Sequence, residues 1–119
     1  MTKTKIKIKR VYEAADADDG TRVLVDRVWP RGIAKEKLKA DLWMKDIAPS
    51  TDLRKWFNHD RSRWEPFKER YFTELAKRPA LIDELVQLAS KHTITLLYSA
   101  KDETCNQAVA LLEYLQSRR

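Results

Sequence analysis

Two short stretches of this chain combine residue types suited to holding an anion. The first is Asp26-Arg27-Val28-Trp29-Pro30-Arg31-Gly32 and the second is Tyr98-Ser99-Ala100-Lys101-Asp102. Arginine offers planar, bidentate donors to phosphate or carboxylate, and lysine adds a point charge. Arg27 and Arg31 would clamp the anion, with Ser99 and Lys101 beside them. Trp29 would offer a stacking face for a ring. Asp26 would orient an arginine or act as a base. The competing reading pairs Arg27 with Asp26 or an acidic loop residue and places Trp29 in the core.

A third group follows directly. Cys105 is expected in the first turn of the last helix, where the dipole and Lys101 would favour a thiolate nucleophile. A small buried hydrophobe is the alternative. Asn106 and Gln107 are expected to hydrogen-bond a ligand or to cap that helix, whose free N–H groups would complete the cradle.

Other chemistries find little support. His59 and His92 are far apart, and no second ligand sits at zinc spacing, so no metal is expected. His59-Asp60 could form an acid–base pair or a surface pair at a helix boundary. The chain has no Gly-x-x-x-x-Gly-Lys-Ser/Thr loop, no Gly-x-Gly-x-x-Gly turn and no Gly-x-Ser-x-Gly elbow. No cofactor is expected.

The elements that must position these groups can be read from periodicity. Ile6, Ile8 and Val11 begin in alternation with Lys5, Lys7 and Lys9, which marks a half-exposed strand. Residues 13–20 read as a loop. Thr21 to Val28 reads as a more buried strand. Ala34 to Trp43 reads as a short helix carrying Leu38 and Leu42. Ser50 or Thr51 would cap a helix through Phe57. Ser62 and Glu65 have capping-box spacing before Trp64, Phe67, Tyr71 and Leu75. Pro79 opens a helix with Leu81, Leu85, Leu88 and Ala89 inward. Thr93 to Tyr98 is a third strand. Asp102 or Thr104 would cap a last helix with Ala108, Val109, Leu112 and Leu115 inward. The tryptophans Trp29, Trp43, Trp56 and Trp64 read as core, with one lining a pocket.

Strands interleaved with helices predict an α/β fold: a small, mostly parallel, Rossmann-like sheet of three or more strands covered by helices. In such sheets ligands collect beyond the carboxyl ends of the strands. If the second and third strands are neighbours, Arg27, Arg31, Ser99 and Lys101 share one crevice.

The chain has 119 residues, enough for one domain spanning 1–119. Hydrophobic residues make up 43%, so a packed core is feasible. The single cysteine allows no internal disulfide and suits a reducing, cytoplasmic setting. Apolar runs fall far short of the ~20 residues that cross a bilayer, so no membrane association is expected. A net charge of +6 admits anions and nucleic acid as partners.

The strings KRVYE (9–13), VLVDRVWPRG (23–32), APSTDLRKWF (48–57) and LLYSAKDETCNQAVAL (96–111) closely resemble the YeaO-like branch of domain-of-unknown-function family 488. The resemblance covers nearly the whole chain. It implies a compact α/β fold and a bacterial-type cytoplasmic protein. It marks Asp26, Arg27, Pro30, Arg31, Ser99 and Lys101 as motif positions and implies no particular activity. More distant, longer members carry a Cys-His pair in the last helix, where this chain has Cys105-Asn106.

Three readings follow. The leading one is a site for a small anionic ligand, phosphate-bearing or nucleotide-like, with hydrolysis or group transfer as the natural chemistry. The second is nucleic-acid binding through Lys3, Lys5, Lys7, Lys9 and Arg10 on the first strand. The third is a non-catalytic interaction module presenting Trp56 and Phe57. The sequence specifies no oligomeric state.

Overall fold

The computed structural model describes residues 5–118. Four parallel strands form one sheet in the order β1-β4-β2-β3. β1 spans Ile6–Arg10, β2 Thr21–Leu24, β3 Leu42–Trp43 and β4 Ile94–Tyr98. β4 is buried along its whole length because it is paired on both sides. Its register sets Leu96 beside Ile8 of β1 and Val23 of β2. The pairing runs one residue past each neighbour: Val11 N–H donates to the Tyr98 carbonyl (2.8 Å) and Val25 N–H to the Leu97 carbonyl (3.1 Å).

β3, a strand the sequence reading does not contain, lies where leucine spacing predicts helix. Only Lys35–Leu38, α1, is helical. Lys39 turns left-handed at φ 52 and ends it. The Arg22 guanidinium donates to the freed Leu38 carbonyl from Nε (3.1 Å) and Nη2 (2.8 Å). Arg22 N–H binds the Asp41 carboxylate (2.8 Å), and Asp41 N–H binds the Arg22 carbonyl (2.7 Å). These bonds draw Leu42 and Trp43 onto the edge of β2. The predicted second strand is correspondingly shorter, since the backbone leaves the sheet as it approaches Asp26.

The sheet's two faces differ. On one, Val23, Val25, Ile94, Leu96 and Tyr98 form the main core with the large helices. These are α2 (Thr51–Phe57), α3 (Trp64–Ala76), α4 (Pro79–Lys91) and α5 (Gln107–Gln116). Ser50 caps α2 as expected, its Oγ accepting from Leu53 N–H (3.1 Å). The Ser62–Glu65 capping box does not form. Asp60 lies closer in sequence and takes the Ser62 N–H (2.9 Å) and hydroxyl (2.7 Å) to cap a 3-10 turn at Arg61–Arg63. α3 then starts at Trp64, with Pro66 in its first turn, where no N–H is required.

Phe67, Tyr71 and Leu75 are buried as their spacing predicts, while Trp64 is half-buried. α4 buries Ile82, Leu85 and Ala89, leaving Leu81 and Leu88 half-exposed. α5 buries Ala108, Ala110, Leu111, Tyr114 and Leu115, and its Val109 and Leu112 are half-buried. The buried stripes of α4 and α5 are rotated slightly from the sequence expectation. None of the four tryptophans is fully buried.

The other face carries a smaller cluster of Val11, Leu24, Leu38 and Leu97. Beside it lies a polar knot around the fully buried Asp19. Its carboxylate accepts from Lys7 (3.4 Å), Lys9 (3.2 Å) and, at close range, Arg22. Burial pushes this carboxyl up, but the Asp16 N–H, Lys9 and Arg22 outweigh that and hold it below the ordinary range. No helix among the described residues is long and apolar enough to cross a membrane.

Candidate functional site

β2 and β4 are neighbours, so their carboxyl ends open side by side. A crevice of about 540 Å³ lies there. The segment after β2 contributes Asp26, Arg27, Trp29 and Arg31; the segment after β4 contributes Ser99, Lys101, Cys105 and Asn106. All eight residues singled out in the sequence therefore border one hollow.

Their individual settings differ. Asp26 forms part of the floor and is 6% exposed. Its Oδ2 accepts from Ser99 N–H (3.0 Å), and its Oδ1 accepts from the Gln107 side-chain amide. It orients no arginine directly. Burial raises its pKa above the ordinary range, with the Ser99 and Gln107 hydrogen bonds and the Arg54 charge opposing. Arg27 pairs with no carboxylate among the described residues either. Its Nε donates to the Pro49 carbonyl (3.3 Å) and its Nη2 to the Ala48 carbonyl (3.2 Å), tying the β2 exit to the approach to α2.

Trp29 is half-buried. Its indole N–H donates to the Ile33 carbonyl (2.7 Å), and its ring meets Trp43 edge-on at 5.4 Å. Arg31 is exposed on a turn completed by Gly32 at φ 76. Lys101 is exposed on the loop after β4 and also borders the hollow.

Asn106 is the helix cap. Its Oδ1 accepts from Val109 N–H (3.0 Å) and its Nδ2 donates to the Asp102 carbonyl (2.8 Å). Asp102 and Thr104 therefore do not cap α5. Asp102 instead shapes the preceding turn, taking the N–H groups of Thr104 and Cys105 (both 3.0 Å). Those bonds, with Arg61, hold its carboxyl well below the usual range. Arg61 reaches Asp102 through Nε (2.8 Å) and Nη2 (3.0 Å), clasping the segment after α2 to the loop after β4. Cys105 precedes the cap and so stands outside the first helical turn, contrary to expectation.

His59 borders the crevice, but Asp60 faces away into its own turn, so the two form no acid–base pair. Among the described residues no cluster of three His, Cys, Asp or Glu side chains could hold a metal.

Among the lining residues that escaped the sequence reading as site residues are Tyr12, Arg54, Lys55 and, as part of this site, Arg10. They lie in the strings KRVYE and APSTDLRKWF, so the resemblance held their signal. With them the electrostatics become plain. Arg10, Arg27, Arg31, Arg54, Lys55 and Lys101 line the crevice, and among the described residues Asp26 is its only lining carboxylate. Arg31, Arg54, Lys55 and Lys101 form no ion pair among the described residues.

The architecture is thus a parallel α/β fold with a cationic crevice at the carboxyl ends of its strands. The profile of the family described as the inactive DUF488-N3 subclade matches residues 5–119, and the chain belongs to that family. It is 47% identical over 112 residues to the uncharacterized protein YeaO of Escherichia coli K12, covering 94% of this chain and 97% of that one. It is 40% identical over 118 residues to the uncharacterized protein Rv3073c of Mycobacterium tuberculosis H37Rv, covering 99% of each. The uncharacterized protein Mb3100c of Mycobacterium bovis matches to the same extent. No solved structure matches.

Proposed function

We propose that the crevice is a receptor site for a small anionic, phosphate-bearing ligand. One observation carries this reading: among the described residues six cationic side chains line the hollow against a single carboxylate, and none of the six forms an ion pair. Arg31 and Lys101, both exposed at the crevice, are the ligand's contacts, with Arg54 and Lys55 on the α2 side. Arg27 shapes the wall through its carbonyl bonds. Binding without turnover fits the family's description as an inactive subclade. It also fits Asp26, engaged by Ser99 and Gln107, and Cys105, displaced from the helix turn. The lone cysteine fits a cytoplasmic setting.

The rival readings lose their motivating features. Lys7 and Lys9 turn to Asp19 rather than forming a nucleic-acid stripe, and Lys3 lies outside the described residues. Phe57 is buried, and Trp56 sits beneath the guanidiniums of Arg70 (4.1 Å) and Arg63 (5.1 Å) rather than forming an open patch.

The test is calorimetric titration of phosphate and pyrophosphate into the wild type, Arg31→Ala and Lys101→Ala at low and raised salt. Binding by the wild type that weakens in both variants and with salt is expected. No binding by the wild type at millimolar ligand and low salt refutes the proposal, as do variants that bind unchanged.

A further inference from the structure

Three large apolar side chains stand exposed among the described residues: Val28 (63%), Tyr12 (51%) and Trp43 (37%). Val28 and Tyr12 both border the cationic crevice. A lone exposed hydrophobe needs no explanation. Two of three meeting at one charged hollow point to a ligand with an apolar part.

Tyr12 is also held in place. Its hydroxyl donates to the Arg31 carbonyl (3.3 Å). The Arg10 guanidinium stands 4.8 Å from the ring centroid, and Arg10 Nε is itself fixed on the Ala100 carbonyl (3.0 Å). The ring is therefore anchored, with half its surface open, to the same turn that presents Arg31. Trp29 is more enclosed, its indole engaged by Ile33 and Trp43. Volume agrees: a crevice of about 540 Å³ lies within the range, about 300–1,000 Å³, that takes organic ligands, and bare phosphate would leave most of it empty.

We propose that the ligand joins a planar ring to its phosphate, as a nucleoside phosphate does. The ring lies against Tyr12 and Val28 while the phosphate meets Arg31 and Lys101. Stacking on an anchored aromatic ring loses little conformational freedom and tolerates any base. This inference rests on the phosphate-site reading and narrows it.

The experiment compares pyrophosphate, ribose 5-phosphate and ADP by calorimetry on the wild type, Tyr12→Ala and Tyr12→Phe. Far-UV circular dichroism checks that both variants fold. ADP should bind the wild type about tenfold tighter than either ringless probe. Tyr12→Ala should lose most of that advantage while keeping its pyrophosphate affinity. Tyr12→Phe should retain it, because the ring remains. Equal affinity of ADP and pyrophosphate for the wild type overturns the inference and leaves the phosphate site standing. Equal weakening of both by Tyr12→Ala does the same. Failure of pyrophosphate and ADP alike to bind brings down both.

Discussion

Gly20 sits at the amino end of β2, and replacing it with alanine should disrupt the pairing of β2 with β4 that brings the two crevice-bearing segments together. It joins the turn around Asp19 to β2 at φ 63, ψ −135, a conformation side-chain-bearing residues rarely adopt. A Cβ there would lie 2.0 Å from the Thr93 carbonyl oxygen and 2.7 Å from the carbonyl carbon. Both are backbone atoms, so no rotamer change relieves the clash. The same Thr93 oxygen accepts from Thr21 N–H (3.0 Å), an opening rung between β2 and the lead into β4. The unfavourable backbone conformation costs about 1–3 kcal/mol. The lost rung adds about 1 kcal/mol. Displacing β2 from β4 brings the loss to roughly 4 kcal/mol, a large share of the ~5–15 kcal/mol that holds a domain together. For a chain of this size that is a fall in Tm of about 15 °C. Gly32→Ala is the internal control. Gly32 also has positive φ, at 76, but a Cβ there meets nothing within 4 Å, so only the backbone term of about 1 kcal/mol applies. Urea unfolding followed by tryptophan fluorescence measures both. Should the two variants fall within about 1 kcal/mol of each other, close approach is not what requires Gly20.

Two further substitutions probe the buried charges. Arg22→Met should destabilise by about 3–5 kcal/mol in urea, because it removes the closest cation from buried Asp19 and both donors from the Leu38 carbonyl. Asp26→Asn should strengthen pyrophosphate binding several-fold at neutral pH, since it removes the only carboxylate that lines the crevice among the described residues while an amide oxygen can still accept from Ser99. The same variant tests linkage. Burial raises the Asp26 pKa, so the folded chain holds that proton more tightly than the unfolded one; its contribution is most favourable at acid pH and is lost as pH rises through the raised value. Asp26→Asn should flatten that part of the stability–pH curve, and an unchanged curve would show that Asp26 does not titrate as its burial requires.

Much of the site's position was legible in the sequence because a general rule of parallel sheets did the placing. Two apolar runs that end in Asp-Arg and Tyr-Ser-Ala-Lys need only be neighbours for their cations to converge, and β2 and β4 are neighbours. What escaped reading depends on partners remote in sequence. Leu38 and Leu42 have helical spacing, yet the Arg22 guanidinium on the Leu38 carbonyl and the bonds to Asp41 draw the segment into the sheet. Ser62 and Glu65 have capping spacing, yet Asp60 competes from two residues away. Arg54 and Lys55 face the crevice because Leu53 and Phe57 fix the rotation of α2, and only packing reveals that rotation.

The two ends of the charge distribution argue for a ligand. Around Asp19 one carboxylate answers Lys7, Lys9 and Arg22, and the cluster stabilises itself. At the crevice the ratio is twice as large, six cations to one carboxylate among the described residues, and like charges gathered there raise the free energy of the empty fold. Removing one should therefore have opposite effects with and without anion. Arg31→Ala and Lys101→Ala should leave the free chain as stable as the wild type or slightly more so, because both side chains are exposed and form no ion pair among the described residues. With pyrophosphate in excess the wild type should melt higher, by the linkage of binding to folding, and each variant should gain less. Thermal melts at low salt read both effects. Cations that merely decorated the surface would give variants with unchanged melts and no smaller gain, and the crevice would lose its claim to an anion.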